Sequence, residues 1–291
     1  MKNALLVGIN YKGTNYQLNG CINDVTNMSK FLKTVLKYDK ITEITDDTRI
    51  KPTRANIISN LVNMVKNSKR GDRLLFLYSG HGSLIKDQNK DEVSGYDSCL
   101  CPIDTLKNGK YITDDEIRNN IVNKIPAGVR MTFIFDCCNS GTGCDLTYTL
   151  NDNSDANSDA NSDANSVEYN NNIMNTPETE MSLVKKICKL KMTRVQSTSK
   201  NSKYKDSGGD VCMISGCLDS QTAEDAYENG QYGGALCISL LELLKETGPT
   251  ITNGELLMRL RALIKQKQYS QKVQLMGGRQ TQVDPNQMFM F

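Results

Sequence analysis

One histidine and ten cysteines set the terms for nucleophilic chemistry in this 291-residue chain. His81 sits between glycines in Tyr78-Ser79-Gly80-His81-Gly82, directly after the apolar run Leu74-Leu75-Phe76-Leu77. Cys137 and Cys138 sit in Asp136-Cys137-Cys138-Asn139-Ser140-Gly141, directly after Met131-Thr132-Phe133-Ile134-Phe135. A nucleophilic Cys needs a base, and His is the usual one; the two need only meet in space. Gly80 and Gly82 let the chain turn tightly around the histidine, and Gly141 does the same after the cysteines. The backbone N–H groups of Gly82 and Cys138 are then candidates to face a developing oxyanion. Each half has an ordinary alternative. A single His after a strand is often incidental, and a Cys in such a turn is often a small buried hydrophobe. Two strand ends with glycines around both support each other, so cysteine catalysis with a histidine base is the leading reading.

Both loops need strands to carry them. Ala4 to Ile9, Leu74 to Tyr78, Met131 to Phe135 and Val211 to Ser215 are continuous apolar runs, the mark of strands buried on both faces. Ile41 to Ile44 is a weaker strand candidate. Helical spacing links Val25, Met28, Phe31, Leu32, Val35 and Leu36, then Ile57, Ile58, Leu61, Val62 and Val65. Thr53 is a plausible N-cap for the second of these. Capping boxes open helices at Thr113, with Glu116, and at Thr252, with Glu255; a further helix runs near Ala235 to Lys245. Strands alternating with helices read as an α/β fold with a mostly parallel sheet. Its ligand crevice lies beyond the carboxyl ends of the strands, where His81 and Cys138 fall.

Composition removes several classes. Lys plus Arg number 35 against 33 Asp plus Glu, a net charge of +2, which gives no basic excess for nucleic acid. No apolar run approaches a membrane span, and the N-terminal apolar run is too short for a signal peptide. Scattered cysteines then read as reduced thiols in the cytoplasm. There is no Cys-x-x-Cys pair, and Cys99 and Cys101 sit only two apart, so a structural zinc is not expected. Asn-Ser-Asp-Ala repeats from Asn153 to Ser166 carry no apolar period and read as a flexible insertion. The basic stretch over 182–205 reads by itself as a solvated linker.

The two loops resemble the catalytic signatures of metacaspases, a family of caspase-like cysteine peptidases. Three other stretches agree in order and spacing. They are Leu18-Asn19-Gly20-Cys21-Ile22-Asn23-Asp24, the segment from Gly95 to Asp104, and the segment from Gly208 to Ala223. Only the insertion and the last dozen residues lack a counterpart. The resemblance implies a caspase-like sandwich with a central, mostly parallel six-stranded sheet flanked by helices. It implies a large-subunit-like region over 1–149, an insertion and basic linker over 150–206, and a small-subunit-like region over 207–291 that completes the same domain. Because the chain begins at its first strand, it reads as a member without an N-terminal prodomain.

The same resemblance assigns roles. Cys138, rather than Cys137, is the nucleophile, and His81 is the general base. Cys21, Asp24, Ser79 and Asp136 form an acidic pocket for the Arg or Lys preceding the cut, where carboxylates can hold a guanidinium fork. Asp24 also has a simpler use as a helix N-cap. Asp97, Asp114, Asp115 and Asp145 match the family's calcium ligands, though first-turn charge on a helix would also account for Asp114 and Asp115. Lys185, Lys186, Lys189, Lys191 and Arg194 are possible self-cleavage positions. The expected protein is a monomeric, calcium-stimulated endopeptidase acting on protein or peptide substrates, with no organic cofactor and no nucleic-acid or membrane partner. Two departures from the family pattern, Asn139 for His and Ser98 for Glu, motivate an alternative: a weak or inactive pseudopeptidase serving as regulator or scaffold.

Overall fold

A computed structural model describes residues 1–87, 94–141, 143–151, 186–187, 189–195, 208–218, 225–228, 230–289 and 291. Most of the expected insertion, with Lys185 and the basic residues Lys200, Lys203 and Lys205, lies outside them. In chain order the elements are β1 (Lys2–Gly8), α1 (Cys21–Thr34), β2 (Lys40–Thr45), α2 (Arg54–Lys66), β3 (Arg73–Ser79), β4 (Gly82–Lys86) and β5 (Tyr96–Leu100). Then come α3 (Thr105–Asn108), β6 (Ile112–Thr113), α4 (Asp114–Asn120), β7 (Arg130–Asp136), β8 (Tyr148–Asn151) and β9 (Lys191–Arg194). The last are β10 (Asp210–Ser215), β11 (Asp225–Glu228), β12 (Gln231–Gly234), α5 (Ala235–Thr247), α6 (Asn253–Gln266) and β13 (Gln274–Gly277).

The apolar runs become adjacent strands. The main sheet has the order β2-β1-β3-β7-β10-β13-β8-β9. Its first five strands pair in parallel and the remaining pairs are antiparallel. Side chains alternate between the two faces. Ala4, Leu6, Leu75, Leu77, Ile134 and Ile214 pack with α1, α5 and α6. Leu5, Val7, Leu74, Phe76, Phe133 and Phe135 pack with α2 and α4. Both faces are therefore covered, as a parallel sheet requires. The Thr53, Thr113 and Thr252 hydroxyls accept the backbone N–H groups of Asn56, Glu116 and Glu255, which starts α2, α4 and α6 as expected. The cap of α1 is Gly20, so Asp24 is not an N-cap but a buried residue of the first turn.

The expected six strands are eight. The additions, β8 and β9, are four residues each and have no continuous apolar run. They extend the antiparallel edge beyond β13, and β9 ends the sheet with Lys191 and Arg194, charges that discourage further pairing. There are two smaller sheets, β4-β5-β6 and the β11–β12 hairpin. β4 begins just past the carboxyl end of β3, and β12 ends at Gly234, whose N–H donates to Asp24 on the first turn of α1.

Candidate active site

Strands β3 and β7 are parallel neighbours with Ser79 level with Asp136. Their following loops therefore leave the sheet side by side. The two loops touch: a Cβ built on Gly82 would lie 1.9 Å from the Cys138 carbonyl oxygen, so only glycine fits at this position. Gly82→Ala is expected to push the loops apart and lower kcat/KM by about 10²-fold or more, through misplacement of the dyad. Steady-state kinetics on protein shown folded by circular dichroism checks this.

His81 is held from below by two buried tyrosines. Its backbone N–H donates to the Tyr11 hydroxyl at 2.9 Å, and its carbonyl accepts from the Tyr78 hydroxyl at 3.0 Å. The imidazole lies 4.6 Å from the Tyr11 ring, centroid to centroid. Its Nε2 is 2.7 Å from the carbonyl oxygen of Tyr16. A carbonyl only accepts, so Nε2 carries the proton and Nδ1 presents the lone pair of a base.

The two cysteines differ in surroundings. Cys137 is buried in the core with Phe76 and Phe135, and burial pushes its thiol well up. That disfavours the thiolate a nucleophile needs. Cys138 is half-buried at the loop surface. The turn is pinned beneath it: the Ser140 hydroxyl is 2.8 Å from both the Cys137 carbonyl and the Ser215 hydroxyl, and the Cys217 thiol donates to the Cys137 carbonyl at 3.1 Å. Asn139 has φ 52°, the left-handed region that asparagine tolerates better than most residues.

Beside the dyad, Asp24 and Asp136 converge under the β11–β12 hairpin. Asp24 accepts the Ser79 hydroxyl at 2.6 Å and the Gly234 N–H at 3.0 Å. Asp136 Oδ2 accepts the Cys237 N–H, on the first turn of α5, at 2.7 Å. Its Oδ1 is buried and has no hydrogen-bond partner. Burial, reinforced by Asp136, lifts the Asp24 carboxyl well above its ordinary value. Burial, moderated by the Cys237 N–H, lifts Asp136 to about 6. Cys21 is also buried here, and its thiol contacts the Ser79 hydroxyl. The four expected pocket residues are thus together. Sequence reasoning missed Tyr16, Asp225 and the Gly233-Gly234 wall. Asp225 fixes the loop before α1 by accepting the Asn19 N–H at 2.7 Å, and its charge reaches Asp24. A Cβ on Gly234 would lie 2.2 Å from Asp136 Oδ2. Paired glycines opening a helix were the available signal of such a close approach.

The four expected calcium ligands come from β5 (Asp97), the first turn of α4 (Asp114, Asp115) and the loop after Cys138 (Asp145). Asp97 and Asp114 are buried. Asp114 accepts the N–H groups of Ser98 and Asp115, each at 2.9 Å. Arg118, fully buried, donates to the Asp145 carbonyl at 3.1 Å and brings one cation to this acidic corner. An all-oxygen set of carboxylates suits a hard cation. Among the described residues, no three of the four approach within 4.8 Å of one another, so ion binding would have to draw them in.

Lys186 and Lys189 are exposed, whereas Lys191 and Arg194 are tied into β9. No helix among the described residues is long and apolar enough to cross a membrane. A family model described as metacaspase, peptidase C14 domain, matches residues 2–147. Metacaspase-1 of Debaryomyces hansenii is 40% identical over 94% of this chain and 64% of its own length. Metacaspase-1 of Scheffersomyces stipitis is 40% identical over 94% of this chain and 70% of its own length. Metacaspase-1 of Mycosarcoma maydis is 35% identical, with 97% and 72% covered. The chain therefore spans 64% to 72% of the length of these relatives. A crystal structure of a Geobacter sulfurreducens protein shares the fold with TM-score 0.59 and 21% identity, over 95% of this chain and 92% of that one.

Proposed function

Since the chain belongs to the metacaspase family of C14 peptidases, we propose that it is a cysteine endopeptidase cutting after Arg or Lys, with Cys138 as nucleophile and His81 as base. The observation that carries the pocket reading is Asp136 Oδ1, a buried acceptor without a partner beside a second buried carboxylate. A substrate guanidinium or ammonium supplies the missing donor and the missing charge.

In this mechanism His81 Nδ1 takes the Cys138 thiol proton, and the thiolate attacks the scissile carbonyl. The Gly82 and Cys138 N–H groups hold the oxyanion. His81 then protonates the leaving amine, a thioester remains on Cys138, and water activated by His81 hydrolyses it. The Tyr16 carbonyl supports both transfers by keeping the proton of Nε2 in place. Fluorogenic peptides ending in Arg, Lys or Asp test the reading: cleavage after Asp instead of Arg or Lys would overturn it.

Calcium is the proposed activator, bound by Asp97, Asp114, Asp115 and Asp145, and supplies positive charge that ties three elements near the catalytic loop together. Asp114→Asn is expected to reduce the ratio of activity in calcium to that in chelator by about tenfold or more, with little effect on activity in chelator. An unchanged ratio, read with the same peptides, would place the activating ion elsewhere. Self-processing is proposed at Lys186 or Lys189 rather than inside β9, because a protease needs an extended segment free of sheet pairing. The domain reading is 1–149 and 207–291 as large- and small-subunit-like parts of one domain, corrected in that the 150–206 region is not linker throughout, since Lys191–Arg194 returns to the main sheet as β9. A cytoplasmic, reducing setting is proposed from the scattered placing of the ten cysteines. A monomer is the proposed working form.

A further inference from the structure

The two pocket carboxylates share their chamber with a sulfur. The Cys237 thiol, fully buried on the first turn of α5, offers a ligand atom within 4.8 Å of carboxylate oxygens of both Asp24 and Asp136. Among the described residues this is the one trio of acid and thiol side chains that converges so closely. Independently of that proximity, Asp136 Oδ1 is a partnerless acceptor on a residue only 4% exposed. Nothing in the spacing of the cysteines hinted at this cluster, because its members come from α1, β7 and α5.

We propose that this pocket binds Zn²⁺ through Asp24, Asp136 and Cys237, and that the ion excludes the cationic side chain of a substrate. Two carboxylates and a thiolate form a borderline-soft set that zinc accepts, whereas calcium and magnesium take oxygen alone. Zinc bonds of about 2.0–2.3 Å place tetrahedral ligands roughly 3.5 Å apart, so atoms now within 4.8 Å close by roughly 1.3 Å at most. Binding breaks the Cys237 S–H bond, forms a Zn–S bond and releases the proton to solvent. With the thiolate counted, zinc leaves the pocket with the same net charge as a substrate cation does, so the two compete for the same carboxylates. Displacement of substrate rests on the pocket reading above; the metal site itself does not.

Cys138→Ala protein is the material for the test, since it removes the catalytic thiol as a competing ligand. Cobalt is the probe, because a thiolate bound to Co²⁺ gives a near-ultraviolet charge-transfer band. One Co²⁺ per chain with that band, displaced by Zn²⁺, is expected. Adding Cys237→Ser should abolish the band and weaken Zn²⁺ binding by about tenfold or more. Adding Asp136→Asn, a second route should the first variant fail to fold, should weaken it comparably, while Cys99→Ser should change neither. Benzamidine, a guanidinium-like ligand, should raise the apparent Zn²⁺ dissociation constant. Retention of the band in folded Cys237→Ser or its loss in Cys99→Ser would overturn the metal site, and indifference to benzamidine would overturn the exclusion of substrate. Failure of the Arg/Lys reading would show separately, in metal-free peptide assays of the unmodified chain.

Discussion

Cys138→Ala is expected to abolish cleavage after Arg, with kcat/KM down by about 10³-fold or more, while Cys137→Ala keeps most of it. The neighbours are chemically identical, so the contrast isolates environment. Cys137 sits among aromatic side chains with its thiol pushed up by burial, and Cys138 sits at the loop surface against Gly82. His81→Ala should match the Cys138→Ala loss, and the double variant should be no worse than either, because the two residues act as one unit. Loss of activity in Cys137→Ala with its survival in Cys138→Ala would exchange the roles. Survival in both would end the cysteine-peptidase reading.

Asp136→Asn should cost about 10²-fold or more in kcat/KM for Arg peptides, the scale of removing one partner from a buried charge pair. Its pH dependence follows from the raised carboxyl. With Asp136 titrating at about 6, the pocket loses charge as pH falls through that value. Binding of benzamidine to Cys138→Ala protein, in which the dyad is silent, should therefore weaken below about pH 6. Stability runs the other way. The folded chain holds this proton to higher pH than the unfolded chain does, so the contribution present at pH 4 is lost as pH rises through about 6. Asn cannot ionise, so Asp136→Asn should raise Tm at pH 8 and leave it nearly unchanged at pH 4, as scanning calorimetry would read. A lower Tm at pH 8 would mean that the ionised carboxylate stabilises the fold, contrary to its burial.

The meeting of the His81 and Cys138 loops was legible because their two strands are buried on both faces. Such strands must be continuous apolar runs, and each run stops at a polar, glycine-bounded loop. Adjacency of β3 and β7 then does the rest. The Tyr16 carbonyl was illegible because a backbone oxygen carries no residue signature. The same holds for β8 and β9, whose four residues each draw stability from the edge of β13 rather than from an apolar run of their own. Cys237 reads as one more apolar position of α5. Its convergence with Asp24 and Asp136 depends on where that helix begins relative to a distant sheet. Asn139 is the instructive case in between: as a letter it suggested lost function, and as a backbone conformation it is a residue suited to its turn.

The edge of the main sheet also decides what a cut between β8 and β9 can do. β8 precedes the cut and β9 follows it, yet they pair with each other, and β8 also pairs with β13 near the C-terminus. β10, beyond the cut, lies between β7, which precedes it, and β13. The two fragments are laced through one another like the fingers of clasped hands. Such a chain could be nicked without coming apart, migrating as two pieces once denatured and as a single particle before.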